Sequence, residues 1–239
     1  MNDKARYANH AHYIKEGWNT APKEIFKVLG THLPPRVSGQ GLDILDVGCA
    51  TGELLGYLGG ILDEPTLTGV DVAPELLETG RQLLPNASFV QASATALPAE
   101  FTDRFDVTTA VGCMSIFDET EIDAFWDNMF RVTRKGGVIV VLSPLNEFGV
   151  DTMIRHRKRK DGAPVGWETG WNIFSQDTIR ELVEARGGAI DFERFEISFE
   201  IEPKEDPVRT WTMQTDTRAR QLTNGLKLLV DHYYMIVTK

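Results

Sequence analysis

A chain of 239 residues, 42% hydrophobic and 25% charged, is long enough to bury one sizeable core. Its formal net charge of −10 argues against the basic stripe that a nucleic-acid-binding surface needs, and no early apolar run is long enough for export or membrane insertion. The two cysteines, Cys49 and Cys113, make neither a metal pattern nor a disulfide framework, so reduced thiols in the cytoplasm are expected.

The lead, residues 1–40, carries Tyr7, His10, His12, Tyr13 and Trp18 ahead of a helical stretch over 21–32. His10 and His12 have no further ligand cluster beside them, so no metal is expected. Ile44, Leu45 and Val47 read as a buried parallel strand that breaks into a turn at Gly48, followed by a helix through Leu54, Leu55, Leu58, Ile61 and Leu62. Glycines let the backbone turn tightly and approach a ligand. Asp46 and Glu53 flank the turn with no Lys or Arg between them. A phosphate at the helix N-terminus would be repelled by these carboxylates, whereas a cation such as a sulfonium amino acid would not. The dinucleotide pattern G-x-G-x-x-G fails, because Ala50 and Glu53 stand where its second and third glycines belong.

A second strand over 67–71 ends in Asp71, 25 residues after Asp46, and Pro74 opens a helix through Leu76, Leu77 and Leu83. Asp71 reads either as a cap for that helix or as an acceptor for two ribose hydroxyls. A third strand over 88–91 leads to Ser93 and Ala94. A fourth over 105–111 ends in Gly112, Cys113, Met114, Phe117 and Asp118, and a fifth over 138–142 follows a Lys-Gly-Gly turn.

The segment from Asp46 through Gly48, Ala50 and Gly52 resembles the acidic residue and G-x-G-x-G of class I S-adenosylmethionine-dependent methyltransferases, with Ala50 replacing the middle glycine. The resemblance implies an α/β fold: a doubly wound, Rossmann-like sheet of seven strands, mostly parallel, with an antiparallel C-terminal strand. It implies S-adenosylmethionine as cofactor, held by Asp46, Gly48, Cys49, Ala50, Thr51 and Gly52 at the turn. Asp71 and Val72 would serve the ribose, Ser93 and Ala94 the adenine, and Gly112, Cys113, Met114 and Phe117 the edge facing the methyl group and adenine. The family usually has an Asp at the position of Ser93; a serine hydroxyl also accepts a hydrogen bond but is uncharged and shorter.

On this reading residues 1–239 form one domain: a helical lid (1–40), a cofactor-binding core (42–142), a substrate-side insertion (143–175) and a C-terminal helix and strands (176–239). The insertion carries a basic run from Arg155 to Lys160. It reads either as a solvated helix face or as a clamp in which Arg155 and Arg157 hold an anionic acceptor. Trp167 and Trp171 read as a stacking wall or as core, with a helix capped at Ser175 to follow. The insertion's basic helix followed by Gly-Trp-Asn, ending at Asn172, is similar to that of methyltransferases acting on sugars or surface-polysaccharide components. A strand-like stretch over 190–201 and a last strand over 228–237 complete the chain, with a polar loop carrying Arg209, Trp211, Arg218 and Arg220 between them.

The expected reaction is methyl transfer to a small-molecule acceptor, a hydroxyl or amine of a sugar or other anionic metabolite, without nucleic-acid or membrane partners. The fourth strand is not followed by Asn/Asp-Pro-Pro-Tyr/Phe, which counts against adenine, cytosine or glutamine-amide acceptors. His156, His12 and Asp118 are the candidate bases. A catalytically silent S-adenosylmethionine-binding protein and an NAD-dependent oxidoreductase are the rival readings.

Overall fold

The structure is a computed structural model, and it describes residues 11–16, 18, 21–33, 37, 39–159, 166–216 and 220–239. In chain order the elements are α1 (Ala11–Glu16), α2 (Glu24–His32), β1 (Asp43–Val47), α3 (Glu53–Ile61), β2 (Thr66–Asp71), α4 (Pro74–Leu83), β3 (Ser88–Gln91), β4 (Phe105–Val111), α5 (Ile122–Val132) and β5 (Thr133–Asn146). There follow β6 (Arg155–His156), β7 (Glu168–Thr169), β8 (Phe174–Ser175), α6 (Gln176–Glu184), β9 (Ala189–Arg194), β10 (Trp211–Met213), β11 (Gln221–Thr223) and β12 (Leu229–Thr238).

The main sheet has the spatial order β10-β11-β12-β5-β4-β1-β2-β3. The five strands from β3 to β5 are parallel, whereas β12 runs antiparallel to β5 and β9 antiparallel to β12. The sheet contains ten strands among the described residues, not the expected seven, because short β8 adds to β5 and the β10–β11 hairpin adds to β12. A doubly wound parallel core with antiparallel C-terminal strands is nonetheless what the resemblance implies.

Two cores follow from side-chain alternation along the strands. On β5, Ile139, Val141 and Leu145 join Phe125, Trp126, Ile179 and Val183 on one face. Val138, Val140 and Leu142 join Phe26, Leu29, Leu55 and Leu58 on the other. The chain winds from β1 through β2 to β3 in one direction and through β4 to β5 in the other. The switch point therefore lies between β1 and β4, where doubly wound sheets bind ligands at the strand carboxyl ends.

Two expectations require correction. The basic run is not helical: Arg155–His156 pairs as β6 with Glu168–Thr169, which buries His156 against Glu168 and turns Arg155 outward. A helix would place like charges at 155 and 159 four residues apart, where they repel. The strand expected over 190–201 ends at Arg194; beyond it Phe195 and Ile197 pack into the second core while Phe199 and Ile201 lie half-buried. Tyr7, His10, Lys160 and Arg218 lie outside the described residues.

Candidate active site

The turn after β1 is built by left-handed backbone at Gly48 (φ 74°), Ala50 (φ 48°) and Gly52 (φ 82°). Gly48 is also a close-approach position, since a Cβ there would stand 2.9 Å from Cys113 Cβ. Ala50 takes a conformation that glycine adopts freely and alanine does not. Three bonds define the turn. Gly48 and Cys49 donate backbone N–H groups to Val70 O at 2.8 and 3.0 Å, and Ala50 donates its N–H to Asp71 Oδ2 at 3.0 Å.

Asp71 Oδ1 accepts from Ala73 N–H at 3.0 Å just ahead of α4, so its carboxylate couples the turn to that helix. Each carboxylate oxygen retains a second acceptor direction, so ribose hydroxyls fit beside these bonds. Val72 is exposed at this edge. Ser93 Oγ lies 2.9 Å from Thr95 Oγ1 and accepts from Thr95 N–H, so that hydroxyl is engaged in its own turn, next to half-buried Ala94.

Asp46 is the electrostatic centre. Its buried carboxylate accepts from Thr109 Oγ1 at 2.7 Å. Burial pushes its pKa from 3.8 to about 7, Thr109 opposing and Asp71 assisting. That is the signature of an anion short of a positive charge. Gly112, at the end of β4, has a φ of 75° and open space where a Cβ would stand. A buried carboxylate facing room beside a glycine fits the ammonium or sulfonium of S-adenosylmethionine. Thr51 is buried and accepts from the Trp18 indole N–H at 3.0 Å, while the Trp18 ring covers Gly56.

A cavity of about 500 Å³ opens against this turn. Asp46, Gly48, Cys49, Ala50, Thr51 and Gly112 form its floor, α2 contributes Ile25 and Phe26, and the C-terminal part contributes Phe195, Phe199, Ile201 and Leu222. Lys23 and Glu53, an ion pair, stand in its wall, as does His232 of β12.

The other residues singled out in the sequence are placed elsewhere. Met114 and Phe117 are buried in the first core, Phe117 stacked on Phe125. Asp118 Oδ1 accepts from both the N–H and the hydroxyl of Thr120, closing the turn ahead of α5. His12 lies in α1 beside the Tyr13 ring, and Tyr13 reaches the cavity. His156 is buried 3.5 Å from Glu168, and burial lowers its pKa. Arg157 sits over the exposed Trp167 ring, 5.2 Å from its centroid, and Trp171 adopts a φ of 66°. Asn172 is fully buried; it donates to Phe117 O and accepts from Ile154 N–H, both at 2.8 Å. None of Arg155, His156, Arg157, Trp167, Trp171 and Asn172 lines the cavity. The sequence reading passed over His232, whose only local signal is a polar residue on an apolar strand.

Residues 44–137 match the family model described as a methyltransferase domain. Over 111 residues the chain is 34% identical to the ubiquinone/menaquinone biosynthesis C-methyltransferase UbiE of Shewanella woodyi, covering 43% of this chain and 42% of that protein. The UbiE protein of Shewanella oneidensis matches at 34% over 117 residues, covering 44% and 45%. The chain thus spans less than half the length of these curated relatives. Among solved structures, the YcgJ protein of Bacillus subtilis matches with a TM-score of 0.62 at 14% identity, covering 89% of this chain and 98% of that one. A S-adenosylmethionine-dependent methyltransferase of Methanosarcina mazei matches with a TM-score of 0.61 at 16% identity, covering 89% and 96%.

The match thus places a methyltransferase domain over residues 44–137. S-adenosylmethionine is the co-substrate this family implies. Among the described residues no helix is long and apolar enough to cross a membrane, and no group of three His, Cys, Asp or Glu is placed to hold a metal.

Proposed function

We propose that this protein transfers the methyl group of S-adenosylmethionine to a small molecule with an apolar, hydroxyl-bearing body. The observation that carries this reading is the cavity: the Asp46 carboxyl and open Gly112 on one side, and Phe195, Phe199, Ile201 and Leu222 on the other. When bound, S-adenosylmethionine supplies an electrophilic methyl carbon. The protein's part is to hold the acceptor in line and about 3 Å away, which accounts for most of the rate in such a displacement. Apolar walls exclude water and leave the acceptor atom as the available nucleophile.

An aromatic or otherwise flat acceptor suits these walls better than a sugar does, because a sugar's hydroxyls would lie against hydrocarbon without partners. The UbiE relatives, whose names place them in quinone biosynthesis, point the same way. The anionic-acceptor reading keeps its support in exposed Arg155 and Arg159 on the insertion. A cytoplasmic setting suits the free thiols of Cys49 and Cys113.

The test is calorimetry with S-adenosylhomocysteine and, in parallel, NADH, followed by an assay for S-adenosylhomocysteine release with phenolic, amine and nucleotide-sugar acceptors. Micromolar binding of S-adenosylhomocysteine and release with a phenol are expected. Binding of NADH alone overturns the reading, and cofactor binding without release across acceptor classes favours a silent binding protein.

A further inference from the structure

We infer that Lys23 holds the amino-acid carboxylate of S-adenosylmethionine, an inference that rests on the methyl-transfer reading above. S-adenosylmethionine carries an anion as well as its ammonium and sulfonium, and at this turn that anion meets the obstacle a phosphate would. Asp46 lies near the end of β1, Asp71 ends β2 and Glu53 opens α3, and no Lys or Arg occurs from residue 43 to residue 80. The strand–turn–helix segment therefore provides no cation, and a carboxylate placed beside these acids needs one. The structure brings one from outside the segment. Among the described residues lining the cavity Lys23 is the single cation, and the acidic side chains there are Glu24, Asp46 and Glu53. His232 in the same wall is neutral at pH 7, burial holding its pKa down at about 4.

Local structure fixes where Lys23 stands. It precedes α2 with extended backbone (φ −60°, ψ 142°), and its carbonyl accepts from the N–H groups of Phe26 and Lys27. Phe26 and Leu29 anchor α2 in the second core. The Lys23 ammonium lies 5.2 Å from the Phe26 ring centroid and pairs with Glu53 of α3. Upstream, Trp18 donates its indole N–H to Thr51, and a Cβ on Gly56 would stand 2.6 Å from its ring. Two contacts, through Trp18 and Lys23, thus pin this part of the chain to the glycine turn and α3. The lysine is in place before a ligand arrives, which lowers the ordering cost of using it.

The pair with Glu53 does not exhaust Lys23. An ammonium has three donors, and Glu53 accepts one of them. The Lys23 side chain keeps 37% of its surface exposed, so a ligand can reach it. An ion pair this open adds little to stability, so the larger effect of the lysine is on a ligand that has no other cation. Lys27 does not substitute for it, being paired with Glu24 and absent from the cavity wall. The charges of the bound cofactor are then divided along the cavity, the ammonium or sulfonium beside Asp46 and the carboxylate beside Lys23.

The experiment compares S-adenosylhomocysteine with its decarboxylated analogue, which lacks only that group, by calorimetry on the full chain. The quantity read is the ratio of the two dissociation constants, the preference for the carboxylate. In Lys23→Gln this preference is expected to fall about tenfold, the loss of one charge-assisted contact. Lys23→Arg, which keeps the charge, should keep the preference. An unchanged ratio in the folded Lys23→Gln protein overturns the inference, because a lysine that only ties α2 to α3 would weaken both ligands alike. An equal fall in Lys23→Arg and Lys23→Gln overturns it too, since a contact made by charge survives the first change. A wild type that binds neither ligand overturns the methyl-transfer reading itself, which separates the two failures.

Discussion

The backbone N–H of Ala50 donates to the carboxylate of Asp71 at 3.0 Å, so the middle of the glycine turn is held by the acid that ends the neighbouring strand. The other oxygen of that carboxylate accepts from Ala73 N–H ahead of α4. The cap reading and the ligand reading of Asp71 are thus compatible, since one side chain shapes the site and still presents acceptor directions to it.

Asp71→Ala removes both backbone acceptors and the proposed ribose contact together. Affinity for S-adenosylhomocysteine is expected to fall by about 1–3 kcal/mol, the loss of charge-assisted bonds, with a measurable drop in unfolding midpoint. Calorimetry alongside denaturant unfolding checks both. Unchanged affinity in a folded variant would separate Asp71 from the ligand.

Ala50→Gly tests the strained middle position. With φ at 48°, alanine is in the left-handed region, which costs an L-residue roughly 1–2 kcal/mol, offset in part by glycine's extra freedom in the unfolded chain. A net stabilisation of up to about 1 kcal/mol is expected, read as a raised urea midpoint at constant slope. Destabilisation would show that the alanine methyl makes contacts worth more than the strain.

Binding should depend on pH through Asp46. Its pKa in the folded protein is raised from 3.8 to about 7, mainly by burial, so the protein takes up a proton here on folding. Between these two values the group's contribution to stability without ligand falls as pH rises. A bound cation favours the ionised carboxylate, so affinity for S-adenosylmethionine should increase as pH rises toward and through about 7, then level off. Calorimetry across that range checks the sign, and Asp46→Asn should flatten the curve. A wild-type curve that falls with pH would contradict the assigned partner.

Asn172→Ala is expected to act on stability. The side chain is fully buried and ties Ile154 N–H to Phe117 O, so truncation orphans one half-buried donor and one buried acceptor. A loss of about 1–3 kcal/mol follows for each unsatisfied group, measured by denaturant unfolding. A change in acceptor Michaelis constant with unaltered stability would restore the substrate role that the sequence suggested.

The strands and the glycine turn of the candidate site were legible in the sequence because their signals are local. The apolar run through Ile44, Leu45 and Val47, the turn glycines and the acid at 71 each report a backbone conformation set by neighbours a few residues away. The strands ending at Asp71, Gln91 and Val111 were readable for the same reason. Tertiary structure decided the rest. Asn172 became a buried bridge through a partner 55 residues distant, and the first two residues of the basic run became a strand because β7 was there to pair with them. His232 looked like one polar residue on a last strand; only the antiparallel register of β12 on β5 brings it to the cavity, which residues from α2, the glycine turn and the C-terminal strands enclose together. Alternation along a strand is written in local sequence, but which strand lies beside it, and in what register, depends on contacts that no local window contains.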